Sequence, residues 1–72
     1  MSNSKVWVSN VKWFDETKGF GFIRHPEKNA DVFVHYSEIQ TDGFRTLTEG
    51  QTVHFRMTET PKGYLAQDVE PQ

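Results

Sequence analysis

Two short stretches between Lys18 and Tyr36 combine aromatic rings with basic side chains. The first, residues 18–23, reads Lys-Gly-Phe-Gly-Phe-Ile, and the second, residues 32–36, reads Val-Phe-Val-His-Tyr. Flat rings beside positive charge are what unpaired nucleic-acid bases and their phosphates require, because every base presents a π-face. The chemistry that these residue types indicate is therefore stacking and charge neutralisation, and not the making or breaking of bonds.

Both stretches have the alternation of a β-strand, in which successive side chains point to opposite faces. An antiparallel hairpin of the two would have an aliphatic face made of Gly19, Gly21, Ile23, Val32 and Val34. Its other face would carry Lys18, Phe20, Phe22, Arg24, Phe33 and His35. Because the aliphatic residues already supply a buried face, we expect the phenylalanines to lie exposed. The two glycines then allow close packing on the buried side.

The segment before this hairpin, about residues 5–14, has the composition of a strand but an imperfect alternation. The pattern lapses near Ser9, and the adjacent Trp13 and Phe14 cannot both face the core of a regular strand. We therefore expect a bulge or bend near Ser9, which would reorient the side chains that follow it. Trp13 is two residues after Val11, so regular alternation places its side chain in the core, whereas a bulge places it on the surface. The residues alone do not decide between the two positions.

Two more strands are predicted after the hairpin, at about residues 51–60 and 64–69, joined by a Thr-Pro-Lys-Gly turn. In the first of them, alternation directs Val53, Phe55 and Met57 inward. Five short strands without a long helix indicate a small all-β barrel or sandwich. Closing the sheet protects its edges, so the predicted fold class is all-β, a five-stranded antiparallel barrel.

A single helical turn is predicted at 37–40, followed by a long loop over 41–50. A loop of this length in a small domain is more often functional than incidental. Phe44 in this loop is either an anchor or a mobile stacking lid, and its polar neighbours favour the lid. Tyr36 shares the parity of the aliphatic Val34, but the end of its strand frees it from strict alternation.

Length and composition point to a small globular protein. We expect one domain over residues 1–72 with residues 1–4 frayed, and the chain has no cysteine for a disulfide or a thiolate metal site. No apolar run approaches the roughly 20 residues of a membrane span, and the first residues lack the features of a signal peptide. The prediction is a soluble cytoplasmic protein without a membrane partner.

The net charge of −2 argues against a partner held by bulk electrostatics. What matters for nucleic acid, however, is the field on one face of the molecule. We expect a locally positive face, because Lys12, Lys18 and Arg24 lie among the aromatic residues. The acidic residues predicted to fall in loops, a turn and the tail are Glu27, Asp42, Glu49, Glu59 and Glu70.

Catalysis and metal binding find no support in the residue pattern. The histidines His25, His35 and His54 lack the spacing of a metal site, and we expect His25 and His54 to be solvated. His35, on the ring face, can stack and donate a hydrogen bond without a metal. No paired carboxylates or nucleophile–base grouping stands out, so no enzymatic activity, catalytic residue or cofactor is predicted.

Four motifs in order and spacing resemble the cold-shock domain, specifically the small bacterial cold-shock proteins. They are residues 11–14, 18–23, 32–36 and 39–44, and the match covers about residues 9–69. The resemblance implies a barrel of the oligonucleotide-binding type that binds single-stranded RNA and DNA. It also implies a passive RNA chaperone that loosens RNA secondary structure, with roles in transcription or translation under cold or other stress.

The same resemblance implies a binding face and decides two open placements. It puts both Trp13 and Tyr36 on the surface. Apart from the resemblance, we expect Lys62 in the last turn to be mainly solvated, with a phosphate contact as the alternative. The binding residues that the resemblance implies are Lys12, Trp13, Lys18, Phe20, Phe22, Phe33, His35, Tyr36 and Phe44, and Lys62 is added to them as a candidate.

Some positions depart from the family pattern. Ser9 stands where the family usually has Gly, Asp15 and Asp68 where Asn is usual, and Tyr64 where Pro is common. The segment around Trp7 is longer and more apolar than a typical start, and we expect Trp7 to pack outside the barrel or extend its edge. We expect mainly a monomer, with homodimerisation through this strand left open. A protein-interaction domain is the competing hypothesis, which the charges among the rings disfavour.

Overall fold

The computed structural model describes residues 5–41 and 46–72, which form a closed barrel of five strands. The predicted five-stranded barrel is confirmed. A 3₁₀ turn at Tyr36–Glu38 follows the third strand, slightly earlier than the predicted helical turn. The strands are β1 Trp7–Asp15, β2 Phe20–Arg24, β3 Asp31–His35, β4 Thr52–Thr60 and β5 Gly63–Pro71. Within the described residues, no helix has the length and apolar character needed to cross a membrane.

The strands run around the barrel in the order β1-β2-β3-β5-β4. Every neighbouring pair is antiparallel except β3 and β5, which run parallel with Val32 opposite Tyr64 and Phe33 opposite Leu65. The reason is arithmetic, because strand direction cannot alternate around a closed ring with an odd number of members. The predicted antiparallel pairing is therefore corrected at this one pair.

The barrel interior is filled mainly by aliphatic side chains. Alternation correctly predicted the inward positions in β2, β3 and β4, although Met57 is only half-buried. Two core residues come from outside the strands: Ile39 follows the 3₁₀ turn and Leu47 lies in the long loop. The buried hydrophobic residues are Val11, Ile23, Val32, Val34, Ile39, Leu47, Val53, Phe55, Ala66 and Val69.

β1 is shared between two partners and changes register between them. Its first half pairs with β4 and its second half with β2, where the register shifts between Val11 and Trp13. The irregularity is therefore at Lys12, and the predicted position near Ser9 is wrong, because Ser9 stays in register with Val53 of β4. An extra residue in one strand bends it and turns the following side chains to the other face.

At Gly21, β2 lies so close to β1 that a side chain would not fit between them. Gly21 pairs with Phe14, and a Cβ atom built on it would lie 2.6 Å from the Phe14 Cα. The predicted close packing at Gly21 is thus confirmed. Gly19 instead lies in the turn before β2 with φ +81°, where its carbonyl accepts the Tyr36 N–H at 2.8 Å. Its expected place on the aliphatic face of a strand is therefore wrong.

Two of the sequence departures have local structural roles. The Asp15 Oδ1 accepts the N–H groups of Thr17 and Lys18 at 2.9 and 3.0 Å, which closes the β1–β2 turn as an Asn side chain also can. Asp68 has φ +50°, a conformation in which Asp and Asn are the most tolerated side chains after Gly. Its carboxylate pairs with Arg56 across the β4–β5 ladder at 2.8 Å.

His25 is buried, with 8% of its surface exposed, so the prediction that it is solvated is wrong. Its Nδ1 accepts the backbone N–H groups of Glu27 and Lys28 at 3.0 and 3.1 Å and thereby orders the β2–β3 loop. Trp7 lies over this imidazole with the ring centroids 5.9 Å apart, and it packs against the core from outside as predicted. His54, by contrast, is half-buried on β4.

Substitution of Gly21 by Ala should destabilise the barrel through crowding alone. The new methyl group meets backbone atoms of β1, so we expect a loss of about 3 kcal/mol or more, the upper range for overpacking. Gly50→Ala is the matched control: its Cβ meets nothing within 4 Å, and only the φ of +85° is unfavourable. That variant should lose about 1–2 kcal/mol. Urea unfolding of both measures the difference, and equal losses would contradict the assigned close approach.

Candidate nucleic-acid interface

Four rings on the outer face of β1, β2 and β3 form a continuous surface, here called the ring platform: Trp13, Phe20, Phe22 and Phe33. Phe20 and Phe33 are nearly parallel, at 29° with centroids 5.8 Å apart, and Phe22 meets Phe33 edge-on at 5.7 Å. Trp13 contacts both β2 rings, at 6.0 Å from Phe20 and 5.4 Å from Phe22. These separations are those of interacting aromatic pairs. The rings therefore fix one another as a single surface.

Trp13 reaches this surface because of the register shift at Lys12. Val11 is buried, while Lys12 and Trp13 both point outward, and Trp13 is 40% exposed. The inward alternation resumes at Phe14, which packs against the core. Simple parity with Val11 would have placed Trp13 in the core, and the structure instead agrees with the placement that the family resemblance implied.

His35 and Tyr36 continue the ring platform beyond Phe20. His35 pairs with Phe20 in the ladder, and Tyr36, 46% exposed, lies 4.7 Å from the imidazole. The Ser37 N–H donates to His35 Nδ1 at 3.2 Å. Because a backbone N–H can only donate, Nδ1 is the acceptor, and the proton of the neutral ring is on Nε2. The ring can thus offer a donor as well as a stacking face.

The charge around the ring platform is more balanced than predicted. The Lys12 Nζ lies 3.1 Å from the Asp31 carboxylate, and Arg24 faces the same residue across the β2–β3 ladder. Asp31 shares the face of Phe33 and His35, an acidic position that the sequence analysis missed. Glu59 and Glu70 lie in β4 and β5, not in a turn or tail as predicted. Lys18 is exposed in the turn that leads into β2.

A groove of about 370 Å³ separates the ring platform from the β4–β5 turn. Its lining includes Phe22 and Phe33 of the ring platform, together with Lys62 of the β4–β5 turn and Tyr64 and Leu65 of β5. Lys62, the candidate phosphate contact, therefore lies beside the rings. Tyr64 was missed as a lining residue, and its only signal in the sequence was a ring where the resembled family commonly has Pro. This space is here called the platform groove.

Phe44, predicted as a stacking lid, lies outside the described residues. Among the residues that the structure does describe, no group of three or more His, Cys, Asp or Glu side chains could hold a metal ion.

Comparison with known proteins gives a consistent result over most of the chain. The family model described as 'Cold-shock' DNA-binding domain matches residues 8–72. Cold shock-like protein CspE of Escherichia coli strain K12 is 58% identical over 60 residues, 83% of this chain and 87% of the relative. Cold shock-like protein CspA of Stigmatella aurantiaca is 58% identical over 62 residues, 86% of this chain and 91% of the relative.

A solved structure described as drosophila Unr CSD456 superposes with a TM-score of 0.79 at 21% sequence identity. The match covers 97% of this chain and 28% of that longer chain. At this identity the likeness concerns the fold.

Phenylalanines of the ring platform should contribute far less to stability than the phenylalanine in the core. Phe20→Ala removes only half-buried ring contacts, so we expect a loss of about 1–2 kcal/mol. Phe55→Ala empties a fully buried site and should lose about 3–5 kcal/mol. Urea unfolding of this matched pair separates the two environments. A Phe20→Ala loss as large as that of Phe55→Ala would contradict an exposed platform.

Proposed function

Since this chain belongs to the cold-shock domain family, we propose that it binds single-stranded RNA and DNA by stacking successive bases on the ring platform. The observation that supports this most directly is the position of the rings. They lie outside a barrel whose interior is already filled by aliphatic residues, so their exposure is not explained by packing. Surface rings that contact one another across β1, β2 and β3 offer sites to consecutive bases.

The proposed binding is tolerant of sequence, because each ring accepts the π-face of any base at about 1–3 kcal/mol per stack. Charge contributes less than stacking to the proposed binding free energy. Lys18 and Lys62 are exposed near the rings, whereas Lys12 already pairs with Asp31 and must exchange that partner for a phosphate. Exposed ion pairs of this kind stabilise a protein by only about 0–1 kcal/mol, so the exchange requires little free energy. His35, with its Nε2 donor, adds a hydrogen bond to a base edge.

A stacking mode of binding also determines the preferred state of the nucleic acid. Bases in a duplex have both faces covered by neighbouring pairs, so the ring platform can accept them only after they separate. A ligand that binds only the open form shifts the equilibrium towards it. We infer a passive RNA chaperone that disfavours secondary structure without a catalytic step or a cofactor.

Fluorescence titration tests the proposed preference for single strands. Because Trp7 and Trp13 both emit, a Trp7→Phe variant isolates the signal of Trp13, which lies in the ring platform. A short oligothymidine should quench this signal by stacking, and a duplex of equal length should bind at least about tenfold more weakly. Absence of quenching, or equal affinity for the duplex, would contradict the proposal.

Phe20→Ala tests whether the ring platform itself is the interface. Loss of one stack should weaken binding of the oligothymidine by about 5- to 150-fold, while the far-ultraviolet circular dichroism spectrum stays that of the natural protein. Val8→Ala is the control, since Val8 is a 52% exposed hydrophobic residue in the half of β1 that pairs with β4. It should leave the affinity unchanged. Normal affinity of a folded Phe20→Ala variant would instead favour a platform that docks a protein.

A further inference from the structure

Tyr64 stands between two hollows of the surface. On one side it lines the platform groove together with Phe22 and Phe33. On the other side it lines a second hollow of about 280 Å³, whose walls include Trp7, His25 and Met57. Tyr64 is thus the one ring common to the two hollows, and it extends the aromatic surface away from Phe33 towards the β2–β3 loop.

The Tyr64 ring is held in place from behind. The buried His25 meets it edge-to-face at 73° with a centroid separation of 4.6 Å, and His25 is itself fixed by the two backbone N–H groups that its Nδ1 accepts. Trp7 covers the imidazole from the outside. A ring positioned in advance loses little conformational freedom when a ligand stacks on it. His25 and Trp7 thus support the Tyr64 ring from behind.

The platform groove has the size and the lining of a base-binding position. Its volume of about 370 Å³ lies within the range of about 300–1,000 Å³ found for small-molecule sites. Phe22 and Phe33, which already belong to the ring platform, line the same groove as Tyr64. A strand stacked on those rings therefore reaches Tyr64 with its next base.

Positive charge accompanies the Tyr64 ring. The Lys28 Nζ donates to the Tyr64 hydroxyl at 3.1 Å, and Lys62 lines the platform groove together with Tyr64. The hydrogen bond to the Tyr64 hydroxyl raises the pKa of Lys28 above its ordinary value, so this ammonium group is charged at neutral pH. The exposed Lys28 can turn from the hydroxyl to a phosphate without uncovering a buried group.

The second hollow has the opposite character. Glu27 and Glu59 line it beside Lys28, and two carboxylates oppose the approach of further phosphates. A nucleic-acid strand that passes Phe33 is therefore accepted at Tyr64 and repelled beyond it.

We propose that Tyr64 is an additional base-stacking residue that extends the ring platform by one nucleotide, with Lys28 as the phosphate contact at that position. The inference rests on the proposed function and adds to it a defined end of the binding path.

A length series of oligothymidines, from about three to about nine nucleotides, tests this extension, since single barrels of this type take about 4–16 nucleotides. For the natural protein, affinity rises with length until the Tyr64 position is filled. Tyr64→Leu should remove the last rise, a loss of about 5- to 150-fold for the longer oligomers, and leave the shorter ones unchanged. Tyr64→Phe, which keeps the ring, should retain the rise.

Lys28→Gln should make the slope of log affinity against log salt concentration less negative by about 0.7, and only for the longer oligomers. An unchanged length series in Tyr64→Leu, or an equal loss at every length, would overturn the role of Tyr64 while short-oligomer binding still upholds the proposed function. Failure of the natural protein to bind any oligomer would overturn both.

A measurement on the natural protein keeps the test independent of variant folding. The proton resonances of the Tyr64 ring should shift when a longer oligothymidine is added and stay in place with a short one that binds the ring platform. Resonances that stay in place with both would overturn the proposal.

Discussion

β1 hydrogen-bonds to β4 through Trp7–Asn10 and to β2 through its second half, and one change of register at Lys12 separates the two pairings. That shift lets Val11 fill the core while Trp13, two residues later, lies outside. Without it, strict alternation would bury the indole and leave the β2 phenylalanines without their neighbour on β1. Gly21 completes the arrangement, because only a residue without a side chain allows the β1 backbone to come this close. The ring platform therefore depends on a backbone irregularity more than on any side-chain contact.

The division of aromatic residues between surface and interior follows from this geometry. Among the described residues, Phe55 is the only aromatic residue in the buried hydrophobic core, which otherwise contains Val, Ile, Leu and Ala. A chain this small buries only about 60% of its extended surface, so leaving rings outside has a real cost in stability. The rings reduce that cost by packing on one another. They remain available to a partner that offers flat apolar surface, and the flanking charges discourage less specific association.

Local rules predicted the parts of the fold that depend on local sequence. The inward positions of Ile23, Val32 and Val34 followed from alternation, because a hairpin sets its own register. The location of the β1 irregularity did not follow, because it depends on where β1 exchanges one partner for another. His25 was misjudged for a similar reason: Trp7 and Tyr64, which surround it, come from distant parts of the chain.

Charge was predicted less well than shape. Lys12 on β1 pairs with Asp31 on β3, which is distant in sequence. The prediction considered only the cations that are close in sequence to the rings, so it overestimated the positive charge of this face. The family resemblance supplied the outward position of Trp13, which alternation alone had opposed. The presence of one parallel pair, in contrast, was predictable from the sequence, since five strands in a closed ring cannot all alternate in direction.

This parallel pair also has a consequence for the order in which the barrel assembles. β1, β2 and β3 are joined by short connections, as are β4 and β5, so both units contain mostly local contacts, which form fastest. Joining β3 to β5 closes a longer stretch of chain than any of the hairpins and carries a larger loop-closure entropy, and joining β1 to β4 closes a longer stretch still. The four rings of the platform lie entirely on the first unit. The groove beside Tyr64 has walls from both units, so it comes into existence only when β3 pairs with β5, which makes it a marker of that closure.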